Sequence, residues 1–297
     1  MNKAIFIVGP TAVGKTALAF EIAKKFSGAL ISADSVQVYK GLDIISGKDL
    51  PEGYSGVPPI HLIDIVDSTV SFTVADFYKH ATKTTEDIFR KKKVPIVVGG
   101  TGLYVEVLIK GLHRTSEPNH KLRKKLENLS VSELQNLLPN HILDYLNNSE
   151  RNNPRRLIRK IELSNQQPTT NHQPRTSFVS LVIGLTCKRD ILKKRVDERV
   201  ESRLKEGALK EATRLFKNYE HLSQQVRDAN GYKQLFLYLK KEINMEEAIA
   251  RWKISEYRHA KNQMTWFRKY GNIEWYDVGK KNFKKDIEKR IEKFFKS

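Results

Sequence analysis

Residues 4–16, AIFIVGPTAVGKT, constrain this chain more than any other stretch. A short apolar run, Ala4-Ile5-Phe6-Ile7-Val8, breaks at Gly9-Pro10, and Gly14-Lys15-Thr16 then opens an amphipathic segment. The spacing satisfies G-x-x-x-x-G-K-[ST] between a strand and a helix, the context that its mechanism needs. A glycine-rich loop lets backbone N–H groups turn toward one centre, here those of Gly9, Thr11, Ala12, Val13 and Gly14, and the following helix adds its positive N-terminal end. Lys15 supplies a mobile cation for phosphate oxygens, and the Thr16 hydroxyl suits Mg²⁺. The stretch is a phosphate site; whether the phosphate belongs to a nucleotide stays open.

At 297 residues the chain is long enough for one large domain or a core with an insertion, and 39% hydrophobic residues exclude a disordered chain. Lys+Arg 53 against Asp+Glu 34 leave a net charge of +19. Beside a phosphate loop, that excess favours a polyanionic partner, nucleic acid more than a membrane. Cys187 is the only cysteine, so an intrachain disulfide and a cysteine-based zinc site are both excluded. No apolar run reaches the roughly 18 residues of a membrane helix, and the apolar start MNKAIFIV is too short for a signal sequence. The expected location is the reduced cytoplasm.

Along the chain, residues 17–26 have the spacing of a half-buried helix, closed by Gly28. A second strand over 29–33 delivers Asp34-Ser35 at its carboxyl end, the working edge of a parallel α/β sheet. Asp34 is therefore a candidate base or metal ligand. Residues 36–67 read mostly as loop, with a brief strand at His61-Leu62-Ile63-Asp64. A helix is expected over 71–92 with Ser71 as its cap. The buried strand 94–98 ends in Gly99-Gly100-Thr101-Gly102, a second turn where a backbone and the Thr101 hydroxyl can approach a ligand. Residues 111–150 carry short helical patterns and read as an all-helical insertion, with 1–110 and 151–297 forming the α/β core. Asn153 and Pro154 then start a helix whose Arg155/Arg159 and Arg156/Lys160 pairs lie opposite Leu157, Ile158 and Ile161. A polar loop over 165–177 and a strand over 178–185 follow. Arg195, Arg199 and Arg203 recur along a helix over 188–204; Arg203 has Glu206 or Glu201 as a local partner, and Arg199 is the one to point back at the phosphate. Gly231-Tyr232-Lys233 opens another helix. The long helix 245–270 sets Arg251, Arg258, Lys261 and Arg268 on one stripe and Ile249, Trp252, Met264 and Phe267 on another. A strand over 272–278 and a terminal helix over 283–295 complete the chain.

The strand 94–98 ends without the aspartate that an ordinary P-loop NTPase places there for Mg²⁺, leaving Asp34 and Asp64 as substitutes. Three readings stay open on the residues alone: a small-molecule kinase, an NTP-driven nucleic-acid protein, and a transferase that grips a leaving diphosphate. The ordered series GPTAVGKT, Asp34-Ser35-Val36-Gln37-Val38-Tyr39-Lys40-Gly41-Leu42-Asp43-Ile44, His61-Leu62-Ile63-Asp64, Val98-Gly99-Gly100-Thr101-Gly102-Leu103-Tyr104, Arg155-Arg156-Leu157-Ile158-Arg159, the Arg199 helix, Gly231-Tyr232-Lys233 and Lys261-Asn262-Gln263-Met264-Thr265-Trp266 resembles the tRNA dimethylallyltransferase (isopentenyltransferase) family of bacterial type. The likeness spans most of the chain.

The resemblance implies a P-loop NTPase-like parallel sheet flanked by helices, and transfer of a dimethylallyl group from dimethylallyl diphosphate to N6 of the adenosine 3′ of a tRNA anticodon. It implies that Asp34 is the general base, that Thr101 hydrogen-bonds the oxygen between carbon and phosphorus, and that Lys15, Arg199 and Mg²⁺ on Thr16 stabilise the diphosphate. Ser35, Val36 and Gln37 would line the base pocket. Arg123, Arg155, Arg156, Leu157, Ile158, Arg159, Arg227, Gly231, Tyr232 and Lys233 match segments that contact tRNA. A monomer acting on the anticodon stem-loop, without membrane contact, is the expected form. The chain departs from the family's usual pattern at Ile45-Ser46-Gly47, Ile60, Tyr257 and Asn262. Free adenine nucleotides as acceptors, and a tRNA-binding module without turnover, are the remaining alternatives.

Overall fold

The computed structural model describes residues 2–50, 55, 58–112, 119–164 and 178–297. They fall into two compact units, residues 1–110 with 175–297, and residues 111–174. The first unit starts with β1 (Asn2–Val8), α1 (Lys15–Lys25), β2 (Gly28–Ser32), β3 (Ile60–His61), α2 (Val74–Arg90), β4 (Val94–Gly99) and α3 (Gly102–Lys110). The second contributes α4 (His120–Leu126), α5 (Val131–Asn136), α6 (Asn140–Tyr145), α7 (Asn148–Arg151) and α8 (Pro154–Ser164). The first resumes with β5 (Phe178–Thr186), α9 (Arg189–Glu206), α10 (Ala208–Phe216), a 3₁₀ turn, α11 (Gln224–Asp228), α12 (Tyr232–Leu239), α13 (Met245–Phe267), β6 (Ile273–Asp277) and α14 (Phe283–Lys296).

The strands form one sheet in the order β3-β2-β4-β1-β5-β6, and every neighbouring pair is parallel. Strands covered on both faces need continuous apolar runs rather than alternation, and Ala4 to Val8 are all fully buried. Ile5 and Ile7 pack with Leu18 and Ile22 of α1 and Ile287 and Ile291 of α14. Because all strands run the same way, their carboxyl ends and the turns that follow gather along one edge. No helix among the described residues is long and apolar enough to cross a membrane.

Two helix ends differ from the sequence expectation. Phe26 caps α1, Ser27 takes φ +50°, and Gly28 opens β2 instead of closing the helix. A Cβ on Gly28 would stand 2.5 Å from Ile96 Cδ1 and 3.1 Å from Ala23 Cα, so glycine is needed there for strand–helix contact. Thr73 rather than Ser71 caps α2, because Thr73 and Asp76 satisfy each other's backbone N–H in a capping box. Ser71 Oγ instead accepts from Gln225 Nε2 at 2.8 Å.

The helical insertion was expected to end at residue 150; the second unit takes in α8 as well. Leu157, Ile158 and Ile161 are the reason, since they form its core with Leu126, Leu134, Leu138 and Leu146. Glu162 shares that buried face with its side chain fully out of water, and it accepts from Arg123 Nε and Nη2 at 2.7 Å each, from Arg159 Nη1 at 2.9 Å and from Asn119 N at 3.0 Å. The polar loop expected over 165–177 lies outside the described residues.

Burial pushes the Glu162 carboxyl up, but hydrogen bonds from Arg123 and Arg159 outweigh it and hold the group below its ordinary 4.5. A carboxylate depressed in the folded state stabilises above its unfolded pKa and loses that contribution as pH falls through the folded value. Protection of amides in residues 119–164, read by hydrogen exchange, is therefore expected to fall as the pH drops below about 4.5. Glu162→Ala removes the shared acceptor of both guanidinium groups. It is expected to destabilise this unit by about 3 kcal/mol, the lower end for a broken buried pair because both arginines keep part of their surface in solvent.

Candidate functional site

The turn after β1 is the one whose sequence pattern points to phosphate binding, and its backbone is left-handed at three positions. Gly9 has φ +142°, Ala12 φ +62° and Gly14 φ +95°, all in the region that glycine occupies most easily. A Cβ on Gly9 would stand 2.5 Å from the Leu185 carbonyl oxygen, so only glycine lets the loop leave the sheet beside β5. Gly14 precedes α1, whose N-terminus carries Lys15 and Thr16.

The ends of β2 and β4 are pinched together. Ala33 N donates to Val98 O at 2.8 Å and Thr101 N donates to Ala33 O at 3.2 Å. A Cβ on Gly99 would lie 2.2 Å from Ala33 O, which explains the glycine pair between Val98 and Thr101. The pinch brings the two candidate polar groups together: Ser35 N donates to Thr101 Oγ1 at 3.1 Å. Asp34 Oδ1 accepts from Val36 N at 2.8 Å and Gln37 N at 3.3 Å, which fixes the carboxylate in its own turn. Gln37 is engaged at both ends of its amide, accepting from Ser32 Oγ and donating to Gly47 O, each at 2.8 Å.

Lys15, Thr16, Asp34, Ser35, Thr101 and Arg199 border one cavity of about 370 Å³. Arg199 Nη1, from the middle of α9, donates to Thr11 Oγ1 at 2.9 Å, and its Nη2 reaches Asp49 Oδ2 at 2.5 Å. Lys15 Nζ donates to Pro10 O at 2.6 Å. Burial and the neighbouring Arg199 guanidinium lower its pKa to about 7, against the opposing pull of Asp34 and Glu256. Arg203 is buried, and burial followed by Arg199 pushes its pKa down as well. Its partner is Glu256 on α13, at 3.4 Å from Nη1, and not the expected Glu206 or Glu201. Three cations thus crowd one cavity, an arrangement that favours an anion between them.

Several contributors were not recognised from sequence. On α13 the buried stripe is Ala248, Trp252, Glu256, Ala260, Gln263 and Phe267, whereas Ile249 and Met264, expected on it, are half-buried. Gln263 Oε1 accepts from Thr11 N at 2.8 Å, and a Cβ on Gly100 would meet its Nε2 at 2.0 Å, so one amide spans both glycine turns. Polar residues at spacings of four and three within an otherwise apolar stripe were the available signal. Glu211 accepts from the backbone N–H groups of Asp43, Ile44 and Ile45 at 2.8 to 3.0 Å and from Tyr232 Oη at 2.7 Å. Lys48 Nζ reaches Tyr39 O and Asp43 Oδ1 at 2.8 Å and Asp64 Oδ1 at 2.5 Å, so Asp64 anchors a loop and does not border the cavity.

The residues expected to meet RNA divide into two kinds. Arg155, Arg156 and Lys233 are exposed. Leu157 and Ile158 are buried in the core of the second unit, so their side chains hold α8 in place. Arg123 and Arg159 are ion-paired to Glu162. Tyr232 is fully buried on Glu211, and Gly231 (φ +85°) leaves room for Ile45 and Trp252. Both hold the loop over the cavity instead of forming a surface. Arg227 is half-buried with its guanidinium 5.6 Å from the Tyr219 ring centroid.

The family model for IPP transferase matches residues 37–270. A Lactococcus lactis protein named tRNA dimethylallyltransferase is 37% identical over 293 residues, which cover 99% of this chain and 98% of that one. The crystal structure of a tRNA delta(2)-isopentenylpyrophosphate transferase from Staphylococcus epidermidis superposes with a TM-score of 0.73 at 33% identity, covering 99% of each chain. A eukaryotic dimethylallyltransferase acting on tRNA gives a TM-score of 0.77 at 28% identity, covering 93% of this chain and 74% of that one. On the family match and the full-length likeness to these enzymes, the chain belongs to the IPP transferase family.

Proposed function

We propose that this protein is a tRNA dimethylallyltransferase that moves the dimethylallyl group of dimethylallyl diphosphate onto N6 of the adenosine 3′ of the anticodon. The observation that carries the reading is that Asp34 and Thr101, whose Oγ1 accepts from the N–H of Ser35 next to Asp34, border the same cavity as Lys15, Thr16 and Arg199. The glycine turn and the three cations suit a diphosphate, and the fixed carboxylate suits a weakly acidic amine proton.

In the step, the N6 lone pair forms a bond to the allylic carbon. The bond from that carbon to the bridging oxygen breaks, and its electron pair leaves with diphosphate. Asp34 takes the N6 proton as nitrogen gains positive charge. Its amide partners hold the carboxylate still, so no reorientation is needed at that moment. The Thr101 hydroxyl, which accepts from Ser35 N and donates to Ser35 Oγ at 3.5 Å, turns to hydrogen-bond the bridging oxygen and keeps its proton. Lys15 and Arg199 hold the departing charge. Thr16 offers a hard hydroxyl oxygen on the cavity, the donor type that suits Mg²⁺. Thr16 would hold it, and the ion would supply charge neutralisation on the diphosphate.

The acceptor is an anticodon stem-loop, whose target base must leave the stack to reach a cavity of this kind. The exposed Arg155, Arg156 and Lys233, with Arg227, are the basic side chains we assign to tRNA phosphates. The protein acts as a monomer in the cytoplasm.

Mass analysis of nucleosides after incubation with Mg²⁺, dimethylallyl diphosphate and an anticodon stem-loop is expected to show prenylated adenosine. Free AMP under the same conditions is expected to remain unmodified; efficient conversion of AMP would replace tRNA by a free nucleotide as the acceptor. Asp34→Asn is expected to lower kcat by about a hundredfold or more, within the range for loss of a general base, while diphosphate binding by calorimetry stays near wild type. Loss of binding and turnover together would assign Asp34 to the diphosphate instead. Arg155→Ala with Arg156→Ala is expected to raise KM for the stem-loop without changing KM for the donor, and to reduce the salt dependence of stem-loop binding by about one to two in slope.

A further inference from the structure

The two arginines of α9 that border the cavity have carboxylate partners of different kinds. Arg203 meets Glu256, and both side chains are nearly fully buried, so that pair has no solvent into which to separate. Arg199 meets Asp49, whose side chain is 56% exposed against 24% for the guanidinium. Resting on the reading that the cradle takes a diphosphate, we infer that Asp49 is a resident counter-ion, which occupies Arg199 until the diphosphate displaces it and so sets how tightly donor and product are held.

The loop brings this carboxylate to Arg199 from a fixed base. Glu211 holds the N–H groups of residues 43–45, and Lys48, next in sequence to Asp49, is tied to Asp43, Asp64 and the Tyr39 carbonyl. Gly47 lies so close to the guanidinium groups that a Cβ would stand 2.1 Å from Arg203 Nη2 and 2.3 Å from Arg199 Nη2. Asp49 therefore reaches Arg199 by construction of the loop. A carboxylate and a phosphate oxygen want the same guanidinium N–H donors, so the two compete for Nη2. Release of Asp49 is inexpensive because most of its surface already meets water, and an exposed pair of this type is worth little. Crowding by Lys15 and Arg203 makes a counter-ion useful while no diphosphate is bound. The exchange lets the site hold a dense cluster of cations without holding the product indefinitely.

The test uses the full-length protein and inorganic diphosphate in titration calorimetry, with Mg²⁺ and separately with a chelator. Asp49→Asn is expected to bind diphosphate about three- to fivefold more tightly than wild type in both conditions, the ratio expected for loss of a competing exposed ion pair. The ratio should shrink as salt is raised. Asp49→Glu keeps the charge and is expected to restore wild-type affinity. In steady state, Asp49→Asn should lower KM for dimethylallyl diphosphate and strengthen product inhibition, with KM for the stem-loop unchanged. Unchanged or weaker diphosphate binding by Asp49→Asn in either condition overturns the inference, and weakening confined to Mg²⁺ would make Asp49 a metal ligand instead. If neither protein bound diphosphate, the reading of the cradle would fail and the inference with it; if both bound it equally, only the role of Asp49 would be lost.

Discussion

Everything at the carboxyl edge of the sheet answers to the repulsion among Lys15, Arg199 and Arg203. Each sits on a different support or turn: Lys15 at the head of α1, and the two arginines one helical turn apart on α9. Bringing them together out of bulk water is unfavourable by itself, and the lowered pKa of Lys15 and the depressed one of Arg203 record that cost. What permits it is a frame that does not yield. Five consecutive residues of β1 are fully buried between β4 and β5, and the turn that follows them is pinned by contacts with no slack at Gly9. A softer frame would relax the cations apart. This one stores the field at a single cavity, where negative charge that develops during a reaction lowers the energy of the site.

Much of that frame was legible locally. The phosphate turn, the buried strands and the position of Asp34 at the end of β2 follow from short motifs and from a rule about parallel sheets, both of which act within a few residues. Thr101 was legible for the same reason. A four-residue recurrence marks the arginine face of one helix, but which of its arginines border the cavity follows from the family resemblance and not from the spacing. Sequence does not reveal what a side chain meets far along the chain. Gln263 touches a loop 252 residues away, and Glu211 holds one 166 to 168 residues away. Neither has a local pattern beyond being polar among apolar neighbours. Leu157, Ile158 and Tyr232 show the converse. They lie in runs that also carry exposed arginines or lysines, and linear proximity does not distinguish a side chain open to a ligand from one that holds its neighbour in place. The end of the helical unit is hidden on the same ground, because sequence alone does not say to which of two cores the apolar face of α8 belongs.

The site is also shaped by backbone approaching side chains, with glycine marking each crossing. Gly47 passes over both guanidinium groups, Gly100 over Gln263, Gly231 over Ile45 and Trp252. At each point a methyl group would overlap a partner, so the distance between loop and helix is set by the absence of a side chain. Such contacts fix position without contributing charge. They allow the charged groups to be placed by the loops and helices that carry them, with little dependence on the attraction between them.

That separation bears on how an allylic transfer can be run from this cavity. The departing diphosphate must be stabilised strongly while the carbon–oxygen bond lengthens and then be let go, and the two demands oppose each other if one set of contacts serves both. Arg203, Lys15 and Arg199 each have a partner inside the protein, Glu256, the Pro10 carbonyl and Thr11, that needs no anion to form. A carboxylate on the solvent side of Arg199 can come and go without disturbing them. The permanent part of the field then acts on the transition state, and the exchangeable part acts only on the bound ground state and on release. On this division, substitutions among the fixed cations change the chemical step, whereas changes at the rim alter occupancy of the cradle and leave the chemistry intact.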